Sequence, residues 1–403
     1  MKPVQPVGFA ARWATAPIWT IFRRVARRGY ESEDLLSVYR DHGVVPRGFT
    51  DDNWNRIPDD LTAYQLVQPG DLVLNKMKAW QGSLGVSELR GIVSPAYFVF
   101  SPVRGNYDRR FLHHLLRSRP YVDSYGRMSG GIRVDQWDLD PWAFSRLVVP
   151  LPPPAEQRAI AYFVDRETAK IDALVEKQNE LVAILRERLA ATILQETRPT
   201  LENLDGWNRV QLRRLAWLST GSTPTGEHAE LFDADGGLGW VTPEDLTSDV
   251  RPWRFLTKEG SAQLRRIPPA SSLVCGIGAT LGKVGYTTGC VATNQQITAL
   301  IPKRNVVGRY LYFALVAERA QILGLSVGNT LPIINNSRLA QLDIWIPDAT
   351  LQDQLARRLQ YEAAKIDVLI AKAEEFVLLA KERRAALITA AVTGQIDLMR
   401  EAS

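Results

Sequence analysis

Apolar side chains recur at steps of three and four residues, or sums of the two, in two widely separated stretches of the chain. The first runs through Ile160, Val164, Ile171, Leu174, Leu181 and Leu185, the second through Leu355, Leu359, Ile366, Leu369 and Phe376. That spacing puts the named residues on one face of a helix. Neither stretch is interrupted: residues 155–198 and 349–393 contain no glycine or proline, in a chain with 28 glycines and 23 prolines. Both are rich in Ala, Leu, Glu, Arg and Lys, which favour helix. The pattern predicts two helices of about 60 Å each, at about 1.5 Å per residue. A near-heptad stripe buries itself against another helix, so the two stripes predict an antiparallel pair with a pseudo-twofold axis.

The two helices are also spelled alike. TAKIDALVEK at residues 168–177 returns as AAKIDVLIAK at residues 363–372, identical at six of ten positions. Each helix follows a short β-type run that reaches proline, LVVPLPPPAEQ (147–157) and LDIWIPDATLQDQ (342–354). Proline there stops the strand and sets up the helix start. The blocks before the helices echo one another more faintly, as in LNKMKAWQGSLGVSELRGIVSPAYFVF (74–100) and VCGIGATLGKVGYTTGCVATNQQITALI (274–301). They alternate short apolar runs, Gly/Pro/Asn turns and a helix, which reads as mixed α/β. The expected organisation is a globular domain over 1–150, a long helix over 151–200, a second globular domain over 201–346, and a second helix with a C-terminal tail over 347–403.

Charge separates the blocks. Residues 1–150 hold 20 Lys and Arg against 15 Asp and Glu, and residues 201–346 hold 14 against 12, while each helical block is negative by one. Arginine supplies 17 of the 20 cations in the first block, which fits planar recognition of phosphate and guanine edges. The two cysteines, Cys275 and Cys290, make no disulfide framework, so a reducing cytoplasm is expected. The apolar run around Trp13 to Phe22 is broken by Pro17 and followed by Arg23-Arg24, too short for a membrane span.

Catalytic chemistry finds no foothold. The adjacent prolines lie in LPPPAE and IPPASS, without the Asn/Asp-Pro-Pro-aromatic frame of an amino-methyltransferase. None of the 11 lysines has an acidic residue two positions earlier, as a common nuclease motif would. CGIGATLG (275–282) looks like a nucleotide loop but leads into β-type sequence rather than a phosphate-binding helix. The four histidines, His42, His113, His114 and His228, have no metal-ligand spacing, and His113-His114 fits packing on an amphipathic helix.

At these residues the chain resembles the specificity subunit of type I restriction–modification enzymes. The resemblance covers essentially the whole chain. It is carried by PLPPPAEQRAI followed by KIDALV, by RRAALITAAVTGQIDL (383–398), and by GSTPTG with GLGWVTPEDL (221–246) and KMKAWQGSLGVS (76–87). It implies two target-recognition domains reading one split, asymmetric double-stranded DNA sequence, held by the coiled coil. It implies partners: methyltransferase subunits, two of them, and endonuclease subunits, with no membrane. It implies no catalysis and no cofactor in this chain, with S-adenosylmethionine used by the methyltransferase and ATP and Mg2+ by the endonuclease. Two departures are visible: Leu351-Gln352 stands where the first helix start has Glu156-Gln157, and the first domain lacks a GSTP segment.

Base readout calls for polar side chains on loops that enter the major groove. In the first domain the candidates are Lys76, Lys78, Trp80, Gln81, Arg127 and Arg133, all read as non-helical. In the second they are Ser222, Thr223, Thr242, Glu244, Asn294, Gln295, Gln296, Asn329 and Asn335. The competing reading is that many of these cap turns. Glu167 with Lys170 and Glu362 with Lys365 are spaced as intrahelical ion pairs. The alternatives for the whole chain are a DNA-specificity module of another defence or modification complex, and a coiled-coil scaffold without DNA.

Overall fold

The computed structural model describes residues 9–40, 42–49, 57–103, 107–131, 137–200, 202–226, 228–233, 236–328 and 332–396. Two compact units emerge: residues 1–178 with 375–403, and residues 179–374.

In the first unit a four-stranded antiparallel sheet runs in the order Phe22–Val25, Tyr97–Pro102, Leu72–Asn75, Leu84–Val86. Successive side chains of a strand point to opposite faces, and here both faces are buried. Leu72, Leu74, Phe98 and Phe100 enter one core with Phe111 and Leu115 of a helix (Arg109–Arg117). Val73 and Val99 enter a second core with Val38, Val67 and Val93. Burial on both faces is why these strands read as apolar runs rather than as alternating ones.

The second unit repeats that sheet. Its order is Ala216–Thr220, Ile297–Pro302, Ser272–Cys275, Val284–Tyr286, again antiparallel throughout. Val274 and Leu300 face one core, with Tyr310 and Leu311 of the helix Gly308–Ala317. Leu273, Cys275 and Ala299 face another. A further sheet, ordered Phe232–Asp233, Phe255–Leu256, Leu238–Val241, Val291–Thr293, contains one parallel pair. In each unit a two-stranded ribbon, Ala14–Pro17 with Val148–Leu151 or Asn208–Gln211 with Asp343–Ile346, closes the globule where its long helix begins.

The long helices span Pro154–Glu196 and Ala349–Val392. Within the first unit, Ile160, Ala161 and Val164 near the start of one share a core with Ile388, Ala391 and Val392 near the end of the other. Arg384 pairs with Asp172 at 2.8 Å there. Within the second unit Ile193 packs in one core with Ala356, Leu359 and Ala363. Arg358 meets Glu196 at 3.2 Å, and Arg186 meets Glu374 at 2.9 Å. The start of each helix therefore lies beside the end of the other, and the pair is antiparallel. The second helix ends at Gly394, with φ +77°, where a Cβ would come within 2.7 Å of Ala10 and Trp13. Only glycine fits that left-handed, crowded stop.

The seam corrects part of the heptad reading. Ile160, Val164, Leu185, Leu359 and Ile366 are buried, and Ile171 and Leu355 are partly so. Leu174, Leu181, Leu369 and Phe376 are instead 48%, 42%, 50% and 40% exposed. In the first unit the shielded positions run Val164, Thr168, Ile171, Val175, Gln178 on one helix and Val377, Ala380, Arg384 on the other. In the second they run Val182, Leu185, Leu189, Ile193 and Leu359, Ala363, Ile366, Ile370, Ala373. Those steps alternate four and three, except that the run through Val182 ends on a second step of four, from Leu189 to Ile193. At 174/175, 181/182, 369/370 and 376/377 both neighbours are apolar, and the one nearer the C terminus, smaller or β-branched, takes the seam. Glu167–Lys170 and Glu362–Lys365 are intrahelical ion pairs at 2.8 and 3.4 Å.

Candidate nucleic-acid interface

In each unit the same two turns meet at one end of the four-stranded sheet. In the first unit they are residues 75–83 and 94–97; in the second, 275–283 and 294–297. Asn75 N–H donates to the Ser83 carbonyl at 3.0 Å, and Cys275 N–H to the Lys283 carbonyl at 2.9 Å. Lys76 N–H donates to the Ala96 carbonyl at 3.0 Å, and Gly276 N–H to the Gln296 carbonyl at 2.7 Å. The long turns also close alike, on Gly82 (φ +89°) and Gly282 (φ +74°), a left-handed backbone that favours glycine. The backbone frame is thus shared, and the side chains on it differ.

On the first frame, Asn75 Oδ1 accepts from the Met77 and Lys78 amides at 3.1 and 3.2 Å, shaping the turn. Lys78 and Gln81 are exposed. Lys76 is held: its Nζ donates to the Pro95 carbonyl and lies 4.9 Å from the Phe98 ring, which Arg24 also covers at 4.4 Å. Trp80 donates to the Met77 carbonyl at 3.0 Å and meets Trp137 edge-on at 5.8 Å. Two placements correct the loop reading. Trp80 and Gln81 sit on a single 3-10 turn (Ala79–Gln81), and Arg127 lies in the last turn of a helix (Arg119–Met128), bonded to Ser124 at 3.0 Å. Arg133 lies outside the described residues.

On the second frame, Gly221 passes so close to the Thr293 and Asn294 carbonyls that a Cβ would fall within 2.3 Å of both. That approach lets the Ser222 amide donate to Thr293 at 2.9 Å, and the Thr223 hydroxyl donates to Gln295 Oε1. Ser222, Thr223 and Gln295 are exposed. Asn294, 8% exposed, is spent on Gln296, whose amide it accepts at 3.1 Å and to whose Oε1 it donates at 3.1 Å. Thr242 is buried in a capping box with Asp245. The Glu244 side chain is exposed, while its backbone carbonyl accepts from Lys283 at 3.2 Å. Asn335 caps the helical turn Asn336–Leu339, accepting from the Arg338 amide at 2.9 Å. Asn329 lies outside the described residues. The candidates brought together with free polar ends are therefore Ser222, Gln295 and Gln296, with Thr223 as the buttress of Gln295.

Sequence reasoning missed three participants. Trp137 braces Trp80. Arg254 lies 4.2 Å from the Trp253 ring and 5.5 Å from the Trp240 ring, and Trp240 in turn donates to the Ser222 carbonyl at 3.4 Å. Asn336 ties two strands, accepting from Thr298 and donating to Thr220, each at 2.7 Å. The adjacent Trp253-Arg254 pair was a visible signal, since cations stacked on indoles suit nucleic-acid contact.

His113 and His114 are structural. The His113 ring packs against Gly43 and Gly85, where Cβ atoms would come within 2.8 and 3.2 Å of it. Burial first, then the Arg117 cation, pushes its pKa down to about 3. His114 joins Asp165 of the long helix at 2.6 Å and, by that hydrogen bond above all, lowers the carboxyl's pKa. Among the described residues no three His, Cys, Asp or Glu side chains gather as metal ligands, and no helix is long and apolar enough to cross a membrane.

Residues 205–375 match the family model of the type I restriction modification DNA specificity domain. The specificity subunit of the type I restriction enzyme MjaIX from Methanocaldococcus jannaschii is 27% identical over 163 residues, covering 38% of this chain and 37% of that subunit. The aligned stretch is therefore little more than a third of that relative's length. A chain solved in work on complex assembly and conformational transition of the type I R-M system aligns over 97% of this chain and all of its own, with TM-score 0.75 and 15% identity. The HsdS subunit of Thermoanaerobacter tengcongensis aligns over 97% of this chain and 99% of its own, with TM-score 0.51 and 15% identity. At that identity the two structures speak for the fold.

Proposed function

We propose that this chain, whose residues 205–375 match the type I restriction modification DNA specificity domain, is the DNA-reading subunit of a type I restriction–modification complex. Each unit would read one half of a bipartite, asymmetric target. The observation that carries this reading is the doubled frame: the same pair of turns at the same end of the sheet, presenting Lys78 and Gln81 in one unit and Gln295 and Gln296, beside Ser222, in the other. Shared backbone with unlike side chains is what unlike half-sites require. Lysine and arginine suit guanine O6 and N7, and glutamine suits adenine N6 and N7.

The chain would catalyse nothing itself. Methyltransferase subunits would bring S-adenosylmethionine, endonuclease subunits ATP and Mg2+, and the complex would work in the cytoplasm. The apolar side chains displaced from the seam support docking of such partners. Leu174, Phe376, Leu378 and Leu379 stand exposed in the first unit, and Leu181, Ile184, Val368 and Leu369 in the second. Large apolar side chains exposed in numbers on one element suit an interaction surface.

The test is to map modified bases across the source genome with and without this gene, and to titrate the purified chain on duplex DNA at several salt concentrations. One split motif should lose its methylation on deletion, and DNA affinity should fall steeply with salt. An unchanged methylation map together with no DNA binding would sink the reading.

A further inference from the structure

Of the buried polar side chains on the two long helices, Thr168 bonds back to the Val164 carbonyl of its own helix. The other two, Gln157 and Gln352, each 2% exposed, reach out of theirs. Gln157 Oε1 accepts the Asp108 N–H at 2.9 Å, and its Nε2 donates to the Pro152 carbonyl at 2.8 Å. Gln352 Oε1 accepts the Val307 N–H at 2.9 Å, and its Nε2 donates to the Pro347 carbonyl at 2.9 Å. Asp108 and Val307 are the N-caps of corresponding helices, Arg109–Arg117 and Gly308–Ala317.

An N-cap residue's own N–H is commonly satisfied by a Glu or Gln at the third helical position. Here those positions hold Phe111 and Tyr310, which are buried in the cores instead. The long helix supplies the missing acceptor from outside. The two helix starts differ on either side of the glutamine, with Glu156 and Arg158 in one and Leu351 and Asp353 in the other. The glutamine and these two bonds are the same, and Gln352 Nε2 also donates to the Asn305 carbonyl at 3.3 Å.

We infer that Gln157 and Gln352 are positioning residues that clamp each recognition globule to its long helix at one height and one angle. Apolar packing between helix and globule is non-directional. A side-chain amide that accepts from the globule and donates to the strand end beside the helix is directional at both ends. The inference rests on the DNA-reading function proposed above. It adds that these two side chains, which touch no base, govern which separation of half-sites is accepted.

The full-length chain would first select its target from a randomised duplex pool. Wild type, Gln157→Leu and Gln352→Leu would then be compared on that target and on versions with the spacer one base pair longer or shorter. Wild type should discriminate sharply. Each variant should lose about tenfold of that discrimination, equivalent to about 1.4 kcal/mol, while selecting the same half-site bases. Gln157→Glu keeps the acceptor and guards against failure of the leucine variant to fold; it should show the same relaxation at smaller amplitude. Variants with lowered Tm but intact spacer discrimination would overturn the clamp as a positioning device. A wild-type chain that selects no split target would instead overturn the DNA-reading function.

Discussion

At the scale of single residues, the polar side chains that looked alike in sequence divide by what they are already bonded to. Asn335 and Thr242 lie in the same loop contexts as Gln295, yet both are consumed as caps, which no spacing rule could reveal. Asn335→Ala should therefore cost about 1 kcal/mol of folding stability and leave base preference intact. Gln295→Ala should leave stability within about 0.5 kcal/mol but weaken specific DNA binding by about 1–3 kcal/mol and relax one position of one half-site. Paired urea unfolding and binding titrations check both. The histidines make a second residue-scale prediction. The pKa of His113 is pushed down from 6.5 to about 3. A depressed pKa means its contribution is intact above about pH 6.5 and lost as pH falls toward 3. The slope is at most about 1.4 kcal/mol per pH unit for one proton. Urea midpoints measured from pH 7 to pH 4 should fall accordingly, and His113→Gln should flatten the profile.

At the scale of elements, the stretches free of glycine and proline, 155–198 and 349–393, match the ends of the long helices to within two residues, because nothing in them opposes helix. Their seam was legible only in phase. Wherever a leucine or phenylalanine precedes a valine or isoleucine, size drew the reading to the first residue, whereas the four–three seam runs one position on. The consequence can be measured. Val182, 8% exposed, should tolerate no charge: Val182→Asp should cost on the order of 3 kcal/mol or more. Leu181→Asp, one residue earlier and 42% exposed, should cost about 0.5 kcal/mol or less, and should instead impair assembly with the proposed methyltransferase partner. Equal destabilisation by the two substitutions, read by urea unfolding, would mean the seam is misplaced.

At the scale of the molecule, the repeat was visible in the sequence as one decapeptide and a few echoes. The structure extends it to strand order, turn pair and glutamine bond. The globules diverge in sequence because apolar strands buried on both faces accept any side chain of suitable volume. The features that stay fixed are those with directional chemistry or forbidden backbone: Gly82 and Gly282, Gln157 and Gln352. If the units read two half-sites, the number of residues in the long helices becomes the variable to which the spacer responds. Adding one heptad to each helix keeps the four–three seam in register and lengthens each helix by about 10 Å. That is roughly three base pairs of duplex at about 34 Å per helical turn. Target selection by the lengthened chain should recover the same half-site bases on a longer spacer. Altered half-sites would mean that recognition is not separable from the helices, and an unchanged spacer would mean that they do not measure it.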